Sequence, residues 1–182
     1  MEGNTPMKQL AILLTACLSL FTASQVMGQV KVEKEDTQPP YYLTEVELDK
    51  KLGIEVKADE KPVAPKEYIW LVYFHRVPGC DTCQLMSKYI YETVAKRFAD
   101  DVKAKNIVLR YRNFEDSKNA ALVKLLGVKS PSLAIIHVKD GKLIKAKFAG
   151  KIWSLASEKE KFMKHVEEET KSLLTEYKEV KK

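Results

Sequence analysis

The feature that most constrains this chain is an unbroken apolar run over residues 69–74, followed closely by two cysteines and a helical pattern. A run without polar alternation is typical of a strand buried on both faces, which places it inside an α/β sheet. Cys80 and Cys83 then fall where this strand gives way to a helix that we expect to begin near Gln84. The sequence therefore predicts an α/β domain with both cysteines at a strand–helix junction.

Two cysteines separated by two residues at the start of a helix have the spacing of a redox site. Unpaired backbone N–H groups and the positive end of the helix dipole favour the thiolate, which is the species that attacks disulfides. We expect Cys80 to be exposed at the helix tip and Cys83 to lie close enough to form a bridge with it. Asp81 adds a negative charge that opposes part of the helix effect on the Cys80 thiolate.

Beyond the cysteines, apolar periodicity switches repeatedly between the helical and the strand pattern. In order, the predicted elements are a helix over 84–98, a strand over 107–112, a short helix over 119–126, strands over 133–138 and 143–148, and a final helix with an apolar stripe from Phe162 to Tyr177. Asp140-Gly141 is a strong hairpin signal between the last two strands. The lysines of the second of these strands favour a position at the sheet edge.

Composition limits the number of domains and the kind of partner. The 182 residues, of which 45% are hydrophobic, suffice for one ordinary domain with extensions. The net charge of +6 could suggest nucleic acid as a partner. However, basic and acidic residues are interspersed, and no basic block is interleaved with aromatic residues. We therefore expect a solvated, lysine-rich surface and no nucleic-acid partner.

Residues 1–28 have the pattern of an export signal peptide. Lys8 supplies a positive start, and the apolar core over 10–21 is shorter than a membrane span. This predicts a periplasmic or otherwise extracytoplasmic protein without a membrane span. Cleavage before Gln29 competes with a lipobox-like site that would make Cys17 a lipid anchor, and the length and flanks of the apolar core favour cleavage and release.

Three further segments complete the predicted organisation of the chain. Residues 29–40 are charged and contain Pro39-Pro40, which predicts a flexible linker. Residues 41–68 are predicted to be an N-terminal embellishment, with a short strand through Leu52, Ile54 and Val56. The main domain is assigned to residues 69–182.

The predicted element order resembles the thioredoxin fold, a three-layer α/β arrangement in which a central mixed sheet has helices on both faces. The resemblance covers about residues 69–176, and residues 127–133 are similar to the segment in which thioredoxins hold a cis-proline opposite the cysteines. It implies that Cys80 is the attacking thiol and Cys83 the resolving thiol. It also implies that Ser130 and a cis-bonded Pro131 form the wall of a substrate groove.

Within this fold, the chain resembles a small bacterial family described as a nitrophenyl compound nitroreductase subunit of the ArsF type. The resemblance rests on residues 73–75, the cysteine pair, residues 151–153 and the acidic final helix. Nothing in the sequence suggests a flavin site, so we expect no cofactor. The chain departs from thioredoxins in having Gly79 before the first cysteine, Asp81-Thr82 between the pair, and Phe74 where thioredoxins have a buried acid.

Two kinds of residue near the motif are open to different interpretations. His75 precedes the cysteine loop and could accept a proton in place of the missing acid. Alternatively, it is a strand-end histidine bonded to backbone, which is the commoner situation. Trp70 and Trp153 are expected to be core residues rather than a ligand platform.

The sequence thus favours an extracytoplasmic thiol–disulfide oxidoreductase whose partner is a protein or a small thiol or disulfide. One alternative is a module that binds a soft metal or metalloid, such as Cu(I) or As(III), through the two thiolates. No resident metal site is expected, because the pair supplies only two of the four ligands of a structural zinc. The other alternative is a non-catalytic accessory subunit that uses the thioredoxin frame for docking.

Overall fold

A four-stranded mixed sheet forms the middle layer of the fold. The computed structural model describes residues 45–54 and 65–180, which lie in one compact unit of the chain. The strands are β1 Glu67–His75, β2 Ile107–Asn113, β3 Ser132–Lys139 and β4 Lys142–Phe148. Their spatial order is β2-β1-β3-β4, with β1 parallel to β2, antiparallel to β3, and β4 antiparallel to β3.

Five α-helices accompany these strands in the described part of the chain. They are α1 Glu45–Lys51, α2 Asp81–Arg97, α3 Ala99–Lys103, α4 Ala120–Leu126 and α5 Lys159–Val180, with a 3₁₀ turn at Ser117–Asn119 before α4. None of them is long and apolar enough to cross a lipid bilayer.

The central position of β1 follows from its apolar sequence. Alternate side chains of a strand point to opposite faces of the sheet, so a run without polar interruption needs cover on both sides. Leu71 and Tyr73 are fully buried on one face, and Val72 and Phe74 are fully buried on the other. The predicted strand, buried on both faces, is confirmed.

The larger core lies between the sheet and the helices α2 and α5. Met86, Ile90 and Val94 of α2, together with Phe98 just after it, recur every four residues and are buried in this core. Phe162 of α5 is fully buried there and meets the ring of Tyr89 edge-on, at 5.6 Å between ring centroids. The two helices therefore share one continuous apolar interface with each other and with the sheet.

A smaller core lies on the opposite face of the sheet, under α4. Ala134, Ile136 and Val138 of β3 are buried here, and side chains of α4 pack against the cluster. Gly127 ends α4 with a left-handed backbone (φ +66°), which confirms the predicted helix end. Helices on both faces of a mixed sheet, with the strand order given above, make this a thioredoxin-like three-layer α/β fold.

The lysine-rich strand β4 lies at the edge of the sheet, as predicted. Lys145 and Lys147 point towards α5, where they form ion pairs with Glu176 and Glu169 at 2.7 and 2.8 Å. The apolar side chains of β4 lie on the other face and are exposed, with Ile144 among them. The edge therefore has a charged face and an apolar face.

The predicted strand through Leu52 and Ile54 is wrong, because Leu52 and Gly53 form the turn that follows α1 and Ile54 is not in a strand. Leu48 and Leu52 are four residues apart, so a helix places both on its inner face against the larger core. The Asp49 carboxylate accepts hydrogen bonds of 2.7 and 3.1 Å from the Arg110 guanidinium, which ties α1 to β2. The predicted signal peptide, Cys17, the linker over 29–40, Val56 and much of the embellishment lie outside the described residues.

Candidate redox site

The cysteine motif occupies the first turn of α2. Cys80 is the N-cap residue of this helix, with an extended backbone (φ −80°, ψ 162°), and its Sγ accepts a hydrogen bond of 3.2 Å from the backbone N–H of Cys83. An N-cap side chain normally satisfies one of the unpaired N–H groups of the first turn. Here a sulfur does so, and a negative charge on that sulfur would be stabilised by the same N–H and by the helix dipole.

The two cysteines form a disulfide, as their spacing predicts. Their Cα atoms are 5.0 Å apart, which lies within the usual range for a bridge. Cys80 is exposed, whereas only 2% of the Cys83 surface is accessible. The predicted difference in exposure is confirmed, so an external sulfur has access to Cys80 but not to Cys83.

Two buried tyrosine hydroxyls hold the first turns of α2 from below. The Tyr73 hydroxyl donates to the carbonyl oxygen of Cys83 at 3.2 Å, and the Tyr111 hydroxyl donates to that of Ser87 at 3.1 Å. Burial raises the pKa of the Tyr111 hydroxyl far above its usual value, so this hydroxyl remains a donor. The apolar pattern identified both residues as core but did not indicate that their polar ends would reach the redox helix.

The predicted groove residues Ser130 and Pro131 lie at the end of the sheet where β1 finishes and β3 begins. Phe74 pairs with Ser132 at the start of β3, so the chain just before β3 is placed beside the loop that leads to Cys80. Ser130 is exposed and Pro131 is buried. The roles of Ser130 and Pro131 in binding a substrate stay predictions.

The peptide bond before Pro131 is trans, so the cis bond predicted from the resemblance is wrong. In the described part of the chain, the single cis peptide bond is Val77–Pro78. The trans form is the ordinary preference of a bond between any residue and proline.

Trp153 is not the core residue that its type suggested. Its side chain lies in the turn between β4 and α5, and 44% of its surface is exposed. The indole N–H donates to the Pro131 carbonyl oxygen at 2.8 Å. Trp70 is half-buried and packs against the smaller core, in agreement with its predicted role.

His75 is buried at the end of β1. Its Nδ1–H donates to the carbonyl oxygen of Arg76 at 3.2 Å, and its ring stacks with that of Tyr73 at 6.4 Å between centroids. Burial lowers the pKa of His75, and the bond to the Arg76 carbonyl opposes part of this change. The imidazole is therefore neutral at pH 7 and able to accept a proton. Its predicted part in catalysis stays a prediction.

Protonation of His75 is expected to destabilise the fold at mildly acidic pH. The folded state holds the ring neutral, so below about pH 6.5 the unfolded chain binds more protons than the folded one. The free energy of unfolding should thus be highest above about pH 6.5 and fall as the pH is lowered towards 5. Urea unfolding of wild type and His75→Gln over this range measures the effect. A His75→Gln slope as steep as that of wild type would contradict it.

Metal-binding groups do not gather around the cysteines in the described residues. Across 45–54 and 65–180, no group of three or more His, Cys, Asp or Glu side chains could together hold a metal ion. Phe74, at the position of the buried acid of thioredoxins, is itself fully buried. The site as described consists of two sulfurs, backbone groups and the nearby histidine.

Comparison with known proteins adds solved structures of low similarity. No family model matches the chain, and no curated protein matches it. The oxidised thioredoxin O2 of Arabidopsis thaliana is 17% identical over 66% of this chain and 90% of its own, with a TM-score of 0.33. A structure described only as a malarial protein is 23% identical over 44% of this chain and 79% of its own, with a TM-score of 0.29.

The fold class follows from the strand order and connections of the sheet, which is covered by helices on both faces. With the bridge between Cys80 and Cys83 at the junction of β1 and α2, this is a thioredoxin-like fold that carries a Cys-x-x-Cys disulfide.

Proposed function

We propose that this protein is an exported thiol–disulfide oxidoreductase that exchanges electrons with a protein or small thiol partner. The observation that carries the proposal is the asymmetry of the Cys80–Cys83 disulfide at the start of α2. One sulfur is open to a partner, and the other is buried behind it. This arrangement suits thiol–disulfide exchange, in which the exposed Cys80 sulfur forms a mixed disulfide with the partner and the buried Cys83 sulfur then releases it.

In the reducing direction, the Cys80 thiolate attacks one sulfur of the substrate disulfide. The substrate S–S bond breaks, a mixed disulfide forms, and the departing substrate thiolate takes up a proton. The Cys83 thiol then loses its proton and attacks the Cys80 sulfur, which releases the second substrate thiol and forms the intramolecular disulfide. Two electrons have passed to the substrate, and a dithiol partner restores the reduced pair. Running the steps backwards oxidises a substrate dithiol.

The neutral His75 imidazole is the proposed acceptor for the Cys83 proton. Its lowered pKa favours the unprotonated ring. Ser130 and Pro131 are proposed to bind the substrate backbone, because they lie at the sheet edge where β1 leads into the cysteine loop. Export through the signal peptide is part of the same proposal. Membership of the nitroreductase-subunit family is also proposed, on the sequence motifs alone.

The test is redox equilibration of wild type in glutathione and in dithiothreitol buffers, with alkylation and mass measurement of the Cys80–Cys83 pair, alongside insulin reduction driven by dithiothreitol. The expected result is a defined reduction potential together with turnover of insulin above the rate with dithiothreitol alone. A pair that stays oxidised in all buffers, or no turnover, would overturn the proposal. Tight binding of Cu(I) or As(III) by the reduced pair without turnover would favour a metal-binding module instead.

A further inference from the structure

Trp153 combines an exposed ring with a satisfied polar group. Its N–H is bonded to the Pro131 carbonyl at 2.8 Å, which fixes the position of the indole. Trp153 is 44% exposed, and its one polar side-chain group is already bonded, so a partner at this position would meet the apolar ring. Large, rigid aromatic groups of this kind contribute strongly to binding because little side-chain entropy is lost when a partner covers them.

The location of Trp153 connects it to the redox site. Its hydrogen-bond partner Pro131 lies just before β3, and β3 pairs with the end of β1 that leads to Cys80. Val77, in the loop just before Cys80, is a second exposed apolar residue at this end of the sheet. The exposed Cys80 is thus accompanied by apolar surface.

We propose that Trp153 determines substrate specificity by contacting an apolar side chain next to the reacting cysteine of an extended protein segment. This inference rests on the proposed function. Trp153 is held beside the start of β3, and β3 is the strand next to β1. The indole is therefore at least one strand spacing, roughly 5 Å, from the line of β1. An extended segment advances about 3.3 Å per residue and can reach both groups within a few residues. A small thiol can react at Cys80 without reaching the indole.

A purely structural role for Trp153 makes different predictions, and two variants separate them. Trp153→Phe keeps the aromatic surface and loses the N–H bond to Pro131. Trp153→Ala loses both. Ile144→Ala is the matched control, because Ile144 is an exposed apolar residue of β4 nearer the hairpin end of the sheet.

The experiment follows reduction of two disulfide peptides that are identical except for Phe or Ser next to the cysteine, with glutathione disulfide as the small probe. Wild type should prefer the Phe peptide. Trp153→Ala should lower kcat/KM for that peptide roughly tenfold, mainly through KM, because an apolar contact is lost. The Ser peptide should lose less than the Phe peptide, through the Pro131 contact alone, and glutathione disulfide and the reduction potential of the pair should be unaffected. Trp153→Phe should retain most of the preference, and Ile144→Ala all of it.

Three outcomes would overturn the inference. Equal loss with all three substrates, or a changed reduction potential, would mean that Trp153 only holds the Pro131 loop. Wild type that treats the Phe and Ser peptides alike would show that the exposed indole does not select substrates. In both cases wild type would still exchange with glutathione disulfide, and the proposed function would stand. If wild type failed to exchange even with glutathione disulfide, the proposed function would be wrong and the inference would fall with it.

Discussion

Replacing Cys83 by alanine is expected to trap a stable mixed disulfide between Cys80 and a substrate sulfur. The exposed Cys80 can still attack, but the buried thiol that would release the substrate is gone. Alanine is preferred to serine, because an unpaired hydroxyl at this buried position would cost about 1–3 kcal/mol. Non-reducing electrophoresis with a disulfide-linked peptide should show one peptide per chain, released by dithiothreitol, and turnover should fall to background.

The companion variant Cys80→Ser should neither trap substrate nor turn over. Serine is a good N-cap residue, so the start of α2 should be retained and the loss should be chemical rather than structural. Trapping by Cys80→Ser, or equal trapping by both single variants, would contradict the assigned order of attack.

The largest expected effect on stability is that of Phe162→Ala. Phe162 is fully buried between α5, α2 and the sheet, and it packs edge-on against Tyr89. Removing the ring should lower the free energy of unfolding by about 3–5 kcal/mol, because apolar contacts are lost and a cavity remains. This is a large share of the roughly 5–15 kcal/mol that stabilises a typical domain. Urea unfolding at neutral pH, followed by circular dichroism, measures the loss.

Leu125→Ala provides the control for that experiment. Leu125 lies on α4 and is exposed, so its truncation should change the free energy of unfolding by no more than about 0.5 kcal/mol. A similar loss in both variants would contradict the view that the interface between α5 and α2 contributes more to stability than the surface of α4.

Several parts of the fold could be predicted because they depend on local patterns. The apolar run of β1, the four-residue repeat from Met86 to Phe98 and the left-handed Gly127 each fix a conformation through nearby residues. The position of the cysteines at the start of α2 follows from the same patterns. By contrast, the predicted strand through Leu52 and Ile54 is wrong, because a few alternating apolar residues are too short a pattern to outweigh the helical spacing of Leu48 and Leu52.

The sequence by itself determined the α/β class, the order of the elements from β1 to α5 apart from the short α3, and the cysteine pair at a strand–helix junction. Only the tertiary structure decided which groups surround that pair. The hydrogen bond from Tyr73 to Cys83 and the bond from Trp153 to Pro131 join side chains to backbone in other elements. Such contacts depend on where distant segments arrive after packing, and no local periodicity encodes that position.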